Sequence, residues 1–159
     1  MRRLQRTIEE IGWTRDVPTL TGDAPVARAL ASMREEAHDC ALVTDGDRLI
    51  GIFTSRDFLN RVADPGSADT LPVGAVMTPR PRTLRPRDPL AFAINWMALE
   101  AFRNVPIVDD DGRVLGALTV WDVMRHLTDV FDEIDATPRD VPAADDRSGP
   151  AVLDLGGGA

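Results

Sequence analysis

Apolar positions along this chain follow two periods, and the order of the periods repeats. Leu4, Ile8 and Ile11 lie three or four apart, which predicts a short amphipathic helix over about residues 4–12, a flap on the main body. Val17-Pro18-Thr19-Leu20 reads as extended, because proline disfavours helix in the residue before it. Pro25 suits a first helical position, and Val26, Ala29, Leu30 and Met33 give one apolar face of a helix ending near His38. Cys40-Ala41-Leu42-Val43 and Leu49-Ile50-Gly51-Ile52-Phe53 then flank Asp45-Gly46-Asp47, the turn chemistry of a β-hairpin. A helix from Ser55 presents Phe58, Leu59 and Val62 and stops before Asp64-Pro65-Gly66.

The series then starts again. Thr83-Leu84, Pro89 and Met97 match Thr19-Leu20, Pro25 and Met33 at an offset of 64, and Val108, Gly116, Thr119 and Asp122 match Val43, Gly51, Thr54 and Asp57 at 65. One inserted residue near the end of the first helix accounts for the slip. Each repeat reads as strand, helix, hairpin, helix, and has too few strands to close a core alone, so two must pack together. The expected fold is α+β, with two pseudo-symmetric strand-helix-strand-strand-helix repeats packed as a pair. The expected divisions are an amino-terminal helix over 1–12, repeat one over 13–63, a linker over 64–75, repeat two over 76–135 and a disordered tail over 136–159. The last helix carries a longer apolar face than its counterpart, through Val123, Met124, Leu127, Val130, Phe131 and Ile134. Its surplus is expected to pack on a second subunit or on the amino-terminal segment.

Composition narrows the chemistry. The chain has 159 residues, 43% of them hydrophobic, and a formal charge of -8, which argues against general nucleic-acid or membrane-surface binding. No stretch approaches the roughly 20 apolar residues of a membrane span. The single cysteine, Cys40, forms no internal disulfide, and two histidines make no zinc constellation, so a cytoplasmic setting is expected. No nucleophile stands with a base and no carboxylates pair for catalysis, so the chain reads as a non-enzyme.

The most informative stretch is Gly51-Ile52-Phe53-Thr54-Ser55-Arg56-Asp57, which returns as Gly116-Ala117-Leu118-Thr119-Val120-Trp121-Asp122. Thr-x-x-Asp at a strand-to-helix handover is close to a capping box, in which the Thr caps and the Asp reaches back. The same helix end has unpaired N–H groups and can take a phosphate. Cap and ligand site therefore remain alternatives on these residues alone.

With Val76-Met77-Thr78-Pro79 opening repeat two, the duplicated arrangement over about residues 10–130 resembles a tandem pair of CBS (cystathionine β-synthase) domains, a Bateman module. The resemblance implies two units packed through their sheets, commonly paired again into a disc-shaped homodimer. It implies a sensor of adenosine-containing ligands (AMP, ADP, ATP, S-adenosylmethionine or NAD) that regulates a partner protein. Each cleft would join the Thr and Asp of one repeat to the opening Thr and pre-hairpin residues of the other. That sets Thr78, Phe102 and Arg103 opposite Thr54 and Asp57, and Thr14, Ala37 and His38 opposite Thr119 and Asp122. Asp57 and Asp122 would accept from ribose hydroxyls, and Arg56, Arg103 and His38 would meet phosphate. Trp13 replaces the Met usual in the opening motif, and Glu35-Glu36 adds negative charge near the second cleft. The Asp57 cleft is thus expected to take the more phosphorylated ligand.

Two other signals have plainer readings. Arg80, Arg82, Arg85 and Arg87 form the one basic cluster, read as an extended surface strand, with no aromatic interleaving for nucleic acid. Asp109-Asp110-Asp111-Gly112 lacks EF-hand spacing and reads as a hairpin turn. A ligand-free interaction scaffold, with both Thr-x-x-Asp units serving only as caps, is the alternative function.

Overall fold

The computed structural model describes residues 6–135, with side chains through 133; the expected tail lies outside the described residues. Its elements are α1 (Ile8–Ile11), β1 (Thr19–Thr21), α2 (Val26–Glu35), β2 (Cys40–Asp45), β3 (Arg48–Thr54), α3 (Ser55–Arg61), β4 (Thr78–Pro79), α4 (Leu90–Glu100), β5 (Asn104–Val108), β6 (Val114–Thr119) and α5 (Val120–Asp135). Short 3-10 turns at Pro65–Asp69 and Val73–Ala75 shape the segment between the repeats.

β1 runs parallel to β2, which pairs antiparallel with β3, and β3 pairs antiparallel with β4, giving the order β1-β2-β3-β4. The second sheet has the same plan in reduced form. Leu84 bridges Ile107 in parallel beside β5, β5 pairs with β6, and Thr14 bridges Ala117 on the far edge. The edge strand of each sheet thus comes from the segment that opens the other repeat.

The strand register corrects the position of the inserted residue. Cys40 faces Thr54 as Asn104 faces Thr119, and Val43 faces Gly51 as Ile107 faces Gly116. β5 therefore keeps the offset of 64 and β6 follows at 65, so the extra residue lies in the Asp109–Arg113 turn rather than near the first helix. A hairpin tip absorbs a residue at the surface, whereas a slip inside β5 would turn every side chain to the opposite face. The structural counterparts of Phe102 and Arg103 are in consequence His38 and Asp39.

Side-chain alternation divides each central strand between two cores. Ala41, Val43 and Phe53 face Val26, Ala29 and Met33 of α2, whereas Cys40, Leu42 and Ile52 meet Val17 and Ala117 between the repeats. In repeat two, Val105, Ile107 and Leu118 pack with Leu90 and Ala93 of α4. Fully buried Ile8 completes that core as Val73 completes the first. Arg6 O accepts from Leu90 N at 2.8 Å, as Leu71 O accepts from Val26 N at 2.9 Å. The expected flap is therefore a structural counterpart of residues 71–73.

Several apolar side chains stay exposed. Leu59, expected on the inner face of α3, is 78% exposed, and Phe92, Leu99, Trp121, Met124 and Phe131 line the outer faces of α4 and α5. Of the long face of α5, Val123 is buried, and Leu127 packs against the same core.

Candidate functional site

Both capping boxes form. At the start of α3, Asp57 Oδ2 accepts from Thr54 N–H and from the Thr54 hydroxyl, each at 2.9 Å, and Asp57 N–H donates to Thr54 Oγ1 at 3.3 Å. At the start of α5, Asp122 Oδ2 accepts from Thr119 N–H at 2.9 Å and from its hydroxyl at 2.8 Å, and Asp122 N–H donates to Thr119 Oγ1 at 3.1 Å.

A cap explains only part of each carboxylate. The Thr78 hydroxyl donates to Asp57 Oδ1 at 2.9 Å, and the Thr14 hydroxyl donates to Asp122 Oδ2 at 3.1 Å. Each aspartate, 7% exposed, therefore links the helix of one repeat to the opening segment of the other. Hydroxyl donation to a buried carboxylate offsets its desolvation and strengthens in the low local dielectric.

Glycine permits this proximity twice, for different reasons. A Cβ on Gly51 would lie 2.2 Å from Met77 Sδ, the residue before Thr78. A Cβ on Gly116 would lie 2.2 Å from the Thr14 carbonyl oxygen, and its φ of +137° is one that favours glycine.

Two arginines complete the units. Arg61 stands 3.5 Å from Asp57 Oδ1 and donates to the Val76 carbonyl at 3.1 Å and to that of Met77, fixing the loop before Thr78. Arg125 stands 3.4 Å from Asp122 Oδ1. Sequence reasoning missed both, although i,i+4 and i,i+3 spacing from the aspartates was the available signal. The counterpart of Arg61 is His126, whose Nε2 is buried without a hydrogen-bond partner among the described residues. It lines a cavity of about 190 Å³ with Asp122, Arg125, Arg6, Glu10 and Asp129. A larger cavity, about 390 Å³, lies at Glu9, Arg85, Arg87 and Asp110, and no residue of either Thr–Asp unit lines it.

The remaining candidates stand apart from this network. Among the described residues, no hydrogen bond or ion pair joins the side chains of Arg56, Arg103, Phe102 or His38 to either aspartate. Arg56 and Arg103 are exposed, and Phe102 and His38 are half-buried. The Arg103 carbonyl accepts from Val120 N–H at 2.7 Å. Ala37, at φ +55°, ends α2 as Ala101, also at +55°, ends α4. Asp39 Oδ1 accepts from Asn104 Nδ2 at 2.8 Å, joining the two pre-strand segments.

The basic cluster divides. Arg82 pairs with Glu100 and lies over the Trp96 ring at 5.3 Å, and Arg85 and Arg87 pair with Asp110 at 3.3 and 2.6 Å. Asp109 Oδ1 accepts from Asp111 N–H and Arg113 N–H, each at 2.9 Å, so the acidic run closes the β5–β6 turn. Cys40 is buried, and burial, with the Asp39 carboxylate second, pushes its thiol up to about 12. Among the described residues no helix is long and apolar enough to cross a membrane.

The chain is similar to several known proteins. CBSCBSPB3, a CBS domain-containing protein of Arabidopsis thaliana, is 31% identical over 100 residues, which are 62% of this chain and 18% of that protein. MK0525 of Methanopyrus kandleri is 28% identical over 113 residues, 70% of this chain and 58% of that protein. The chain thus spans less than two thirds of these relatives. Among solved structures, CBSX2 in complex with AMP is 26% identical, with a TM-score of 0.67 over 79% of this chain and 98% of that one. The CBS domain structure NE2398 is 23% identical, with a TM-score of 0.69 over 77% of this chain and 98% of that one. The CBS domain family model matches twice, over residues 12–64 and 73–129, one match for each Thr–Asp unit, and the chain belongs to the CBS domain family.

Proposed function

We propose that this chain is a regulatory module that binds adenosine-containing ligands, AMP, ADP or ATP, in the clefts between its two repeats. The observation that carries the reading is the carboxylate of each repeat meeting a threonine hydroxyl of the other. Such a carboxylate already accepts a hydroxyl, so a ribose hydroxyl can replace that of Thr78 or Thr14 without leaving a buried charge unpaired. The released Thr78 or Thr14 hydroxyl is then free to donate to phosphate. Arg56 and Arg103 add cationic groups with no ion pair among the described residues. The likeness to CBSX2 in complex with AMP supports the same class of ligand.

The module works as a cytoplasmic homodimer that controls a partner protein. Exposed Phe92, Leu99, Trp121, Met124 and Phe131 support a subunit contact, because large apolar groups on outer helix faces mark association surfaces. Ligand that joins the repeats biases the partner only through unequal affinity for two states. No catalytic step is assigned. The same exposed faces support a second reading, a ligand-free scaffold whose Thr–Asp units only hold the repeats together.

Calorimetry with AMP, ADP, ATP, S-adenosylmethionine and NAD tests the reading, on the wild type and on Asp57→Asn with Asp122→Asn. Circular dichroism checks that the variant is folded. Binding by the wild type that the folded double variant loses is the expected result. A folded wild type that binds none of the five leaves the scaffold reading in its place.

A further inference from the structure

We propose that this chain dimerises like on like through repeat two: the outer faces of α4 and α5 pack on the same faces of a second copy, and the outer helix faces of repeat one stay in solvent. The proposal rests on the homodimer reading and assigns that dimer its face. The two repeats differ sharply in what their helices expose. Among the described residues six large apolar side chains are exposed, and five of them, Phe92, Leu99, Trp121, Met124 and Phe131, stand on α4 and α5. In repeat one the counterparts of Phe92, Leu99 and Trp121 are Arg28, Glu35 and Arg56, all exposed, and only Leu59, the counterpart of Met124, is apolar. Phe131 has no helical counterpart, because α3 ends at Arg61.

The sequence of each helix states the same difference. α2 carries Arg28, Ser32, Arg34 and Glu35 opposite its buried face, as a surface helix does. In α4 only Asn95 and Glu100 are polar, and a helix apolar on all sides is a buried one. Within one chain α4 is covered on one side alone. Leu90 and Ala93 of α4 and Val123 of α5 fill the same core, so both helices lie on one side of the β5–β6 sheet and turn their outer faces away from it. On α5, Trp121, Met124, Thr128 and Phe131 follow at three, four and three residues, the spacing of a helix–helix seam. Thr128 donates its hydroxyl to the Met124 carbonyl at 3.0 Å, so no unpaired donor interrupts that stripe.

The area available fits a second copy. An aromatic side chain buries about 150–250 Å², so Trp121, Phe92 and Phe131, each more than half exposed, offer with Leu99 and Met124 on the order of 500 Å² of apolar surface. A standard interface covers about 800 Å² on each partner, about 65% of it apolar in homodimers, so this face supplies the apolar share of one such interface. A two-fold axis sets the face against itself, apolar on apolar. Docking on repeat one of the second copy would instead press Arg28, Glu35 and Arg56 against these aromatic groups and strip their water without a partner.

Equivalent positions in the two repeats provide the test. Sedimentation velocity of the full chain over a range of concentrations compares Met124→Glu with Leu59→Glu and Phe92→Glu with Arg28→Glu, and circular dichroism checks that each variant is folded. The two-fold axis presents every substitution twice. We expect Met124→Glu and Phe92→Glu each to raise the dimer dissociation constant at least about a hundredfold, and Leu59→Glu and Arg28→Glu to leave it within about threefold of wild type. A wild-type dimer weakened as much by the repeat-one substitutions, or untouched by all four, overturns the like-on-like contact while the homodimer reading stands. A monomeric wild type overturns both, and leaves the face to another segment or to a different protein.

Discussion

Gly51 and Gly116 occupy one motif position, yet alanine at the two should behave differently. A Cβ on Gly116 falls 2.2 Å from the Thr14 carbonyl oxygen and 2.9 Å from Trp13 Cδ1, well inside the 3.4 Å at which ordinary contact begins. The nearest obstacle is backbone. Relief requires moving the Thr14 segment, which breaks the paired bonds from Thr14 N to Ala117 O at 3.0 Å and from Ala117 N to Thr14 O at 2.9 Å. Two hydrogen bonds at about 1 kcal/mol each, added to about 1–3 kcal/mol for a side chain at this φ, put Gly116→Ala about 3–5 kcal/mol below wild type. For a chain of this size that lowers Tm by roughly 6–20 °C. At Gly51 all three nearest atoms belong to the Met77 side chain, which can turn away, so Gly51→Ala should cost about 1–2 kcal/mol. Urea unfolding of Gly51→Ala, Met77→Ala and the double variant should give a coupling of at least about 1 kcal/mol. Removing the Trp13 ring should leave Gly116→Ala uncorrected. A Gly116→Ala protein within about 1 kcal/mol of wild type, or no coupling between Gly51 and Met77, would refute the steric account.

Three further outcomes follow from the same geometry. Asp57→Asn and Thr78→Val, compared in a double-mutant cycle by urea unfolding, should couple by about 1–2 kcal/mol, because a hydroxyl-to-carboxylate bond joins the repeats; a value near zero would mean that the bond contributes nothing. The Cys40 thiol, raised to about 12, keeps its proton when folded over the range where an unfolded thiol, near 8.5, has lost it. Its contribution is therefore complete below about pH 8.5 and falls as pH rises toward 12; Cys40→Ala should flatten the alkaline loss of stability, and an unchanged profile in that variant would argue against it. Phe53, fully buried against α2, should cost about 3–5 kcal/mol as alanine by urea or thermal unfolding; a loss below about 1 kcal/mol would contradict that packing.

The site was legible in the sequence to the extent that its residues recur. Thr54, Asp57, Thr119 and Asp122 were found as a repeated motif, and both capping boxes follow from local spacing. Arg61 and Arg125 were not found, because one basic residue a helical turn from a carboxylate is common on any solvated face. The members of the Arg80 cluster could not be told apart for a different reason. Its four members look alike in sequence, and only their partners separate Arg80 from the three that are neutralised.

The chain by itself determined the strand and helix periods, the two hairpins, the duplication and the split of the Thr–Asp motif between cap and site, since all of these depend on neighbours within a few residues. Tertiary structure decided what spans the repeats. It placed Thr14 and Thr78 on the partner sheets, buried Ile8 in the second core and set the inserted residue in a hairpin tip, where no side chain has to change faces. It thereby aligned Asp39 with Arg103. Sequence matching around one gap cannot choose among nearby gap positions, whereas strand pairing admits only the register that keeps both cores filled.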